Sequence, residues 1–291
     1  MLLATKKKLL PWLLAAVGFL FMVFFLREVF AGHWILKQSF HVGVVDIHYY
    51  GLIMAAAVLA AFWFGTLRAK SFGINEKQGE DLLVWLVIGG FICARLYHVG
   101  SDWDFYWHNP LLIFQVWRGG LSIYGALFGG VLALWLYKKS VQLPFSLYHL
   151  LDWLAPCLLL GQIIGRFGNL FNYEVFGYPT SLPWKMFVPL EFRPLGFAQF
   201  VYFQPFFLYE VVGNLLILFL LLKVIKFRRQ GSLFFSYLLL YNALRFFLEF
   251  VRTDSTFIGN FRLNALVSLA LAALAGGFLI YRKFAHEQQT S

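Results

Sequence analysis

The stretch from Leu150 to Phe171 reads LLDWLAPCLLLGQIIGRFGNLF and is apolar over most of its 22 residues. A helix that crosses the hydrocarbon core of a bilayer needs about 20 largely apolar residues, so this stretch is long enough to span a membrane. Seven further segments resemble it in length and composition. They run over residues 9–30, 47–67, 82–100, 119–137, 205–224, 232–251 and 263–282. The sequence therefore predicts about eight transmembrane helices.

The composition of the whole chain agrees with a membrane protein. Of its 291 residues, 60% are hydrophobic and 13% are charged, and the mean hydropathy is +0.71. Soluble domains average about 45–50% apolar and about 25% charged residues, so a soluble enzyme is excluded, and so is disorder. Cys93 and Cys157 both lie in apolar runs, which excludes a secreted disulfide scaffold. No segment alternates like a barrel strand, so we predict an all-α, polytopic membrane helical bundle.

The distribution of lysine and arginine predicts the orientation. With the N-terminus in the cytoplasm, 14 basic residues fall in inside segments and seven in outside segments. The inside set is Lys6, Lys7, Lys8, Arg68, Lys70, Lys77, Lys138, Lys139, Lys223, Lys226, Arg228, Arg229, Arg282 and Lys283. Cytoplasmic loops carry an excess of basic residues, so both termini are predicted to be cytoplasmic. The net charge of +10 is explained in this way, and a nucleic-acid partner is not expected.

Two parts of the chain differ from the rest of the predicted bundle. Residues 1–38 are interpreted as an additional membrane anchor helix and linker, followed by the main bundle over 39–291. The uncharged run from Leu9 to Leu26 is longer than the core of a signal peptide, although Val29-Phe30-Ala31 resembles a cleavage site. Residues 172–204 contain four of the nine prolines, together with Trp184, Phe187, Phe192, Phe197 and Phe200. They predict a small irregular cap on the periplasmic surface.

Charged side chains within the predicted spans indicate a functional site. Insertion scales give a cost of about 2.5–3.5 kcal/mol for an arginine at the bilayer centre, and such residues normally face a cavity or a partner. The residues concerned are Arg95, Arg166, Arg245, Glu210 and Glu249. All three arginines fall in the outer half of their spans, and Arg245, Glu249 and Arg252 share one helical face. We therefore predict one polar cavity open to the outer leaflet.

The chemistry of these residues suits an anionic phospholipid head group, because the planar guanidinium of arginine matches phosphate. A structural alternative stays open for each residue, since a single Arg–Glu pair can serve packing alone, and Arg95 could extend to the interface. His48 and His98 are either bases or interfacial aromatics. No metal-binding, Walker or nucleophile-elbow motif occurs, so neither a metal nor a cofactor is predicted.

Residues 165–177, GRFGNLFNYEVFG, resemble the signature G-R-x-G-N-F-x-N-x-E-x-x-G of the prolipoprotein diacylglyceryl transferase family. Four shorter pieces resemble other motifs of that family in the same order, and the resemblance covers about residues 40–282. These pieces are His48 to Leu52, Ala94 to Leu96, Pro205 to Glu210, and Tyr241 to Arg252.

The resemblance implies that the diacylglyceryl group of phosphatidylglycerol passes to the lipobox cysteine thiol of a preprolipoprotein at the bacterial inner membrane. It implies no cofactor; its partners are phosphatidylglycerol, lipobox signal peptides and membrane lipid. The predicted catalytic residues are Arg166, Arg245, Tyr124 and Glu249. The predicted phosphatidylglycerol-binding residues are Arg166, Asn169, Tyr50, Arg95, Asn172, Glu174, Gly177, Glu210 and Arg252.

Tyr124 is the main departure from the family pattern, because it replaces a histidine that the family is held to use in catalysis. A phenol titrates near pH 10 against about 6.5 for imidazole, so Tyr124 is a poor general base. Either Tyr124 only orients a substrate, or a neighbour such as His98, His48 or Glu249 acts as the base. Two other functions stay open: a non-catalytic phosphatidylglycerol-binding relative and a lipid transporter or flippase.

Overall fold

The computed structural model of the protein describes residues 2–43, 45–225 and 229–290, and it is mainly helical. Lys226 and Arg228, which entered the orientation argument, lie outside the described residues. The helices in the described part are α1 (Leu2–Phe30), α2 (Tyr49–Ala69), α3 (Glu76–Ser101), α4 (Trp103–His108), α5 (Ile123–Val141), α6 (Leu147–Asn172), α7 (Phe206–Phe219), α8 (Ser232–Glu249) and α9 (Leu263–Thr290). All eight predicted spans overlap one of these helices.

Short antiparallel hairpins and single helical turns connect the long helices. The hairpins pair β1 (Ser39–Val42) with β2 (Val45–His48), β3 (Met186–Phe187) with β4 (Tyr202–Phe203), and β5 (Phe257–Ile258) with β6 (Phe261–Arg262). In the first hairpin Ser39 lies opposite His48, and in the second Met186 lies opposite Phe203. Tight 3₁₀ turns occupy Lys70–Phe72, Pro110–Phe114, Val116–Arg118 and Leu190–Phe192, and a π-helical turn over Leu220–Val224 continues α7.

Five helices in the described part of the chain are long and apolar enough to cross a membrane. They cover Tyr49–Phe72, Glu76–Ser101, Leu147–Asn172, Phe206–Val224 and Leu263–Phe284. The protein is therefore a polytopic helical membrane protein. The other three predicted spans coincide with α1, α5 and α8, and their passage through the bilayer stays a prediction.

Helix α6 lies at the centre of the bundle. It packs against α2, α7 and α8, while α3 joins α2 to α5, and α9 packs on α8. Half of the membrane-spanning part of α6 is buried in protein, against 11–33% for the other four spans. Trp153 is fully buried, and its indole nitrogen donates a hydrogen bond to the carbonyl of Gly65 on α2. The core of the bundle is therefore built around α6, which contains the apolar stretch from Leu150 to Phe171.

The C-terminal end of α1 is held by the chain between α6 and α7, here called the 173–205 segment. Val29 is buried against this segment, and a Cβ on Gly32 would lie 2.8 Å from the Phe187 ring. The backbone nitrogen of Leu36 donates a hydrogen bond to the Tyr173 hydroxyl at 2.7 Å. By contrast, the side chains of Phe19 and Leu20 are exposed, as expected of a helix that faces lipid over most of its length.

Helices α3 and α5 approach closely because each carries glycine at the contact. A Cβ on Gly129 would lie 2.3 Å from the carbonyl oxygen of Gly89, and a Cβ on Gly125 would lie 2.3 Å from that of Cys93. Small residues at this spacing allow two membrane helices to bring their backbones together. The close approach of α3 and α5 therefore depends on Gly125 and Gly129 of α5.

Replacing Gly129 by valine should separate α3 from α5, because backbone atoms cannot give way as a flexible side chain can. We expect a loss of about 1–3 kcal/mol in the free energy of unfolding, the usual cost of overpacking. Thermal or denaturant unfolding in detergent measures it. Gly130→Ala is the matched control, since a Cβ there meets nothing within 4 Å and alanine favours a helix. Equal stability of the two variants would contradict the close approach.

Candidate active site

Three charged side chains from three different helices meet in the bundle. The Nε atom of Arg166 on α6 lies 2.9 Å from Oε2 of Glu210 on α7. Nη1 of Arg245 on α8 donates a hydrogen bond to the other oxygen of the same carboxylate. Glu210 is 1% exposed, so it bridges the two guanidinium groups inside the protein. Arg166 and Arg245 thus belong to one site, as the sequence predicted.

Glu249 extends this network through an ion pair with Arg245, and it is also 1% exposed. One carboxylate oxygen lies 3.6 Å from Nη2 of Arg245, and the other accepts a hydrogen bond from the amide of Asn264 at 3.1 Å. The backbone carbonyl of Glu249 accepts a further hydrogen bond from Nη1 of Arg262 at 2.6 Å. With both of its carboxylate oxygens facing buried groups, Glu249 serves to hold Arg245 in place.

Arg166 is the more accessible arginine of the pair, with 23% of its side chain exposed against 14% for Arg245. It contacts Glu210 through Nε, and its two terminal nitrogens have no hydrogen-bond partner among the described residues. The Tyr50 ring packs on the same helix at Gly168, because a Cβ there would be 2.8 Å from that ring. Charges of Arg166 and Glu174 both act on the Tyr50 hydroxyl. The free edge of Arg166 can therefore bind an anion near Tyr50.

The end of α6 supplies a set of amide and carboxylate groups next to Arg166. The amide of Asn169 donates a hydrogen bond to Glu174 at 2.8 Å, and that of Asn172 donates to the same oxygen at 3.4 Å. The turn that brings Glu174 back onto the helix depends on Tyr173, whose φ of 49° is left-handed. Burial raises the pKa of the Tyr173 phenol above its ordinary value. This residue therefore stays neutral and acts as a structural anchor.

Gly177 and Arg252 are brought together by an isolated antiparallel bridge. A Cβ on Gly177 would lie 2.9 Å from the carbonyl oxygen of Val251, so only glycine allows this approach. Arg252 is paired with Asp254, with Nη2 and Oδ2 at 2.7 Å. The hydrogen bond to Asp254 raises the pKa of Arg252. Burial alone would raise the pKa of Asp254, but the hydrogen bond and the positive charge of Arg252 outweigh burial and lower it. Both groups are therefore ionised at neutral pH.

Arg95 lies apart from this network and has a different set of partners. Its guanidinium donates hydrogen bonds of 2.5–2.9 Å to four backbone carbonyls, and its charge lies over the Tyr106 ring. The four carbonyls belong to Leu112, Ile113, Gly119 and Gly120. Four of the five N–H donors of a guanidinium are thus occupied. The structure does not place Arg95 beside Arg166, and its visible role is to hold the loop between α4 and α5.

The candidate bases occupy three separate environments. His98 lies 3.6 Å from Asp102 and lines a cavity of about 230 Å³ together with Arg95 and Gly120. Tyr124 is 67% exposed at the start of α5, where its ring lies beside Tyr97. His48 is exposed at the start of α2 and makes no side-chain capping bond. Among the described residues, no hydrogen bond or ion pair joins any of these three to Glu210.

Three polar residues at the site were missed by the sequence analysis: Arg262, Asn264 and Asp254. Arg262 also donates hydrogen bonds to the hydroxyls of Ser255 and Tyr178, at 2.8 and 3.2 Å. It therefore joins the β5–β6 hairpin to the end of α8. All three lie in the connection between α8 and α9 or in the first turn of α9, where a polar or charged residue is ordinary. Only their partners distinguish them, and a single sequence does not give those.

The fold and the site together define a polytopic membrane protein with a buried arginine–carboxylate centre suited to an anionic group. Comparison with known proteins agrees with this class. The family model described as prolipoprotein diacylglyceryl transferase matches residues 37–281. The chain belongs to this family.

Relatives named phosphatidylglycerol–prolipoprotein diacylglyceryl transferase are similar over most of the chain. The protein from Trichormus variabilis is 42% identical over 236 residues, covering 78% of this chain and 83% of its own length. That from Acaryochloris marina is 40% identical and covers 87% of this chain and 95% of its own length. That from Thermotoga maritima is 38% identical and covers 95% and 97%. The match to the Thermotoga maritima protein leaves out 5% of this chain, which is about 15 residues. Since α1 has 29 residues, this match includes part of α1.

Arg95→Lys should loosen the loop between α4 and α5, because one ammonium cannot reach four carbonyls that a planar fork spans. Losing hydrogen bonds to these partly buried carbonyls costs about 1–3 kcal/mol in the free energy of unfolding. Thermal unfolding in detergent and limited proteolysis of residues 110–120 measure the effect. Arg27→Lys is the control, since Arg27 is exposed at the end of α1. An unchanged cleavage rate in Arg95→Lys would contradict the role assigned to Arg95.

Proposed function

We propose that this chain transfers the diacylglyceryl group of phosphatidylglycerol to the cysteine thiol of a prolipoprotein. The observation that carries the proposal is the free edge of Arg166, held beside Arg245 by the Glu210 carboxylate they share. Membership of the family and the names of its relatives support the same reaction. The lipobox cysteine of the prolipoprotein is the predicted acceptor.

The reaction breaks the bond between a glyceryl carbon and a phosphate oxygen, and forms a thioether between that carbon and the cysteine sulfur. Glycerol phosphate leaves with the electron pair, so the phosphate charge rises from −1 toward −2. Guanidinium donors aimed at this oxygen stabilise the transition state more than the ground state. Arg166 binds the phosphate through its terminal nitrogens, with Arg245 behind it. Tyr50 and Asn169 orient the head group.

The sulfur attacks as a thiolate, because a thiol is a weak nucleophile at its ordinary pKa near 8.5. Of the candidate bases, Glu249 is buried among its partners and Tyr124 carries a phenol. His98 is supported best: 30% of its side chain is exposed, it lines a cavity, and the Asp102 carboxylate is near. His98 accepts the thiol proton, and Tyr124 contacts the substrate through its exposed hydroxyl.

The bundle crosses the bacterial inner membrane eight times with both termini in the cytoplasm, according to the same proposal. The ends of α6 and α8 and the start of α7 then face the periplasm, together with the 173–205 segment. This orientation rests on the excess of basic residues in the inside segments. It places Arg166 in the outer leaflet and makes the 173–205 segment a periplasmic cap.

Arg166→Ala should lower the transfer rate at least about 100-fold, as the loss of one donor to a developing oxyanion does in other enzymes. Arg166→Lys keeps the charge but loses the fork, and should recover only part of the rate. The assay is the mass of a lipobox peptide incubated with phosphatidylglycerol and purified protein.

Arg27→Ala is the control for this assay, because it removes an exposed arginine from the same side of the bundle. Full activity in Arg166→Ala would discard the assignment of the phosphate site. A wild-type protein that binds the lipid but modifies no thiol would support a non-catalytic relative. Lipid flux into proteoliposomes without any thiol peptide would support a flippase.

His98→Gln should lower kcat/KM at least about 100-fold, because the acceptor thiol loses the base that takes its proton. His48→Gln tests the other histidine and should keep the wild-type kcat/KM. The reverse result, with a large loss only in His48→Gln, would move the base to His48.

A further inference from the structure

A carboxylate on α6 caps the start of α8 at the end of the bundle away from Arg166. Asp152 is fully buried, and its two oxygens accept hydrogen bonds from the backbone nitrogens of Gly231 and Phe234 at 2.5 and 2.8 Å. Gly231 is the residue before α8 and has no side chain that could cap the helix. Two N–H groups at the start of α8 are therefore satisfied by a side chain from another helix.

The burial of Asp152 is explained by the helix that it faces. A carboxylate inside a membrane protein is costly unless it is hydrogen-bonded or paired. The first turn of a helix offers N–H groups without intrahelical partners and a partial positive charge. Asp152 and the start of α8 thus satisfy each other, and their contact fixes both the height and the rotation of α8 beside α6.

The spacing along the two helices carries this contact to the active site. Arg166 lies 14 residues after Asp152 on α6, and Arg245 lies 14 residues after Gly231 at the start of α8. At about 1.5 Å per residue both intervals are about 21 Å, and about 3.9 turns return each arginine to nearly the same face. The two helices are thus linked at both ends, by Asp152 at one end and Glu210 at the other.

We propose that Asp152 is a positioning residue that sets the register of α8 against α6, so that Arg245 reaches the Glu210 oxygen opposite the one held by Arg166. A slip of one residue shifts a helix by about 1.5 Å and turns it by about 100°. Such a slip removes Arg245 from Glu210. This inference rests on the proposed function only because the experiment measures kcat of the proposed reaction. The contacts of Asp152 themselves do not depend on which reaction the protein catalyses.

Other contacts keep α8 near α6 when Asp152 is changed, so variants remain informative. The amide of Gln162 donates a hydrogen bond to the Tyr237 hydroxyl at 2.9 Å, midway along the two helices. The Ser146 hydroxyl contacts Gln230, whose backbone carbonyl also accepts a hydrogen bond from Arg282 at 3.0 Å. Loss of the cap therefore affects register before it affects association.

The experiment compares Asp152→Asn and Asp152→Leu with the wild-type protein, at a temperature well below the unfolding midpoint of each. Asparagine keeps one acceptor and leucine keeps none. We expect kcat per folded molecule to fall about threefold to fivefold in Asp152→Asn and at least tenfold in Asp152→Leu. KM for phosphatidylglycerol should change less than twofold, because the free edge of Arg166 is untouched.

Asn75→Ala is the matched control, since the Asn75 side chain caps α3 by accepting a hydrogen bond from the nitrogen of Lys77 at 3.0 Å. It removes the cap of a different helix, α3, and should lower the unfolding midpoint with no change in kcat per folded molecule. A purely structural Asp152 would behave in the same way as Asn75.

A double-mutant cycle with Arg245→Lys tests whether Asp152 acts through Arg245. If it does, Asp152→Asn should have at least a threefold smaller effect on kcat in the Arg245→Lys background, since coupled residues are non-additive. Additive effects, or unchanged kcat in both Asp152 variants, would overturn the inference while leaving the proposed function intact. A wild-type protein without transfer activity would overturn the proposed function instead. In that case the cycle is measured on the binding of glycerol phosphate.

Discussion

The Glu210 carboxylate, shared by two arginines from different helices, is the interaction on which the site depends. A single arginine in a low-dielectric interior is unfavourable, and so is a single glutamate, but together they offset most of each other's desolvation. Glu210 binds Arg166 through one oxygen and Arg245 through the other. The same contact therefore holds α6, α7 and α8 together and keeps two cations side by side, where they would otherwise repel.

The carboxylates also make the site selective for a charge that develops during reaction. Arg166 and Arg245 are balanced by Glu210 and Glu249, so the network is nearly neutral before a lipid binds. Groups held in this way need little reorganisation when a phosphate gains charge, which is the condition for electrostatic catalysis. Because Glu210 and Glu249 are both 1% exposed, water does not screen them. Preorganised charge, and not net charge, is what this centre offers.

The sequence predicted the helices well because an apolar run of about 20 residues leaves few alternatives in a membrane. It also placed Arg166, Arg245, Glu210 and Glu249 in one site, since charge at that depth requires a partner. It did not separate Arg95 from Arg166 and Arg245, because the partners of Arg95 are backbone carbonyls, which a pattern of side chains does not predict. Asp152 and Arg262 were missed for a related reason, because their roles depend on which helix end or loop packs against them.

The number of free N–H donors separates the three arginines that looked alike in sequence. A guanidinium has five donors. Arg95 has given four of them to carbonyls, and Arg245 directs both terminal nitrogens at carboxylates. Arg166 contacts Glu210 through Nε alone and keeps its terminal edge, the bidentate face that matches a phosphate. Depth in the membrane identifies arginines that need a partner, but only the partners already taken show which one can bind a ligand.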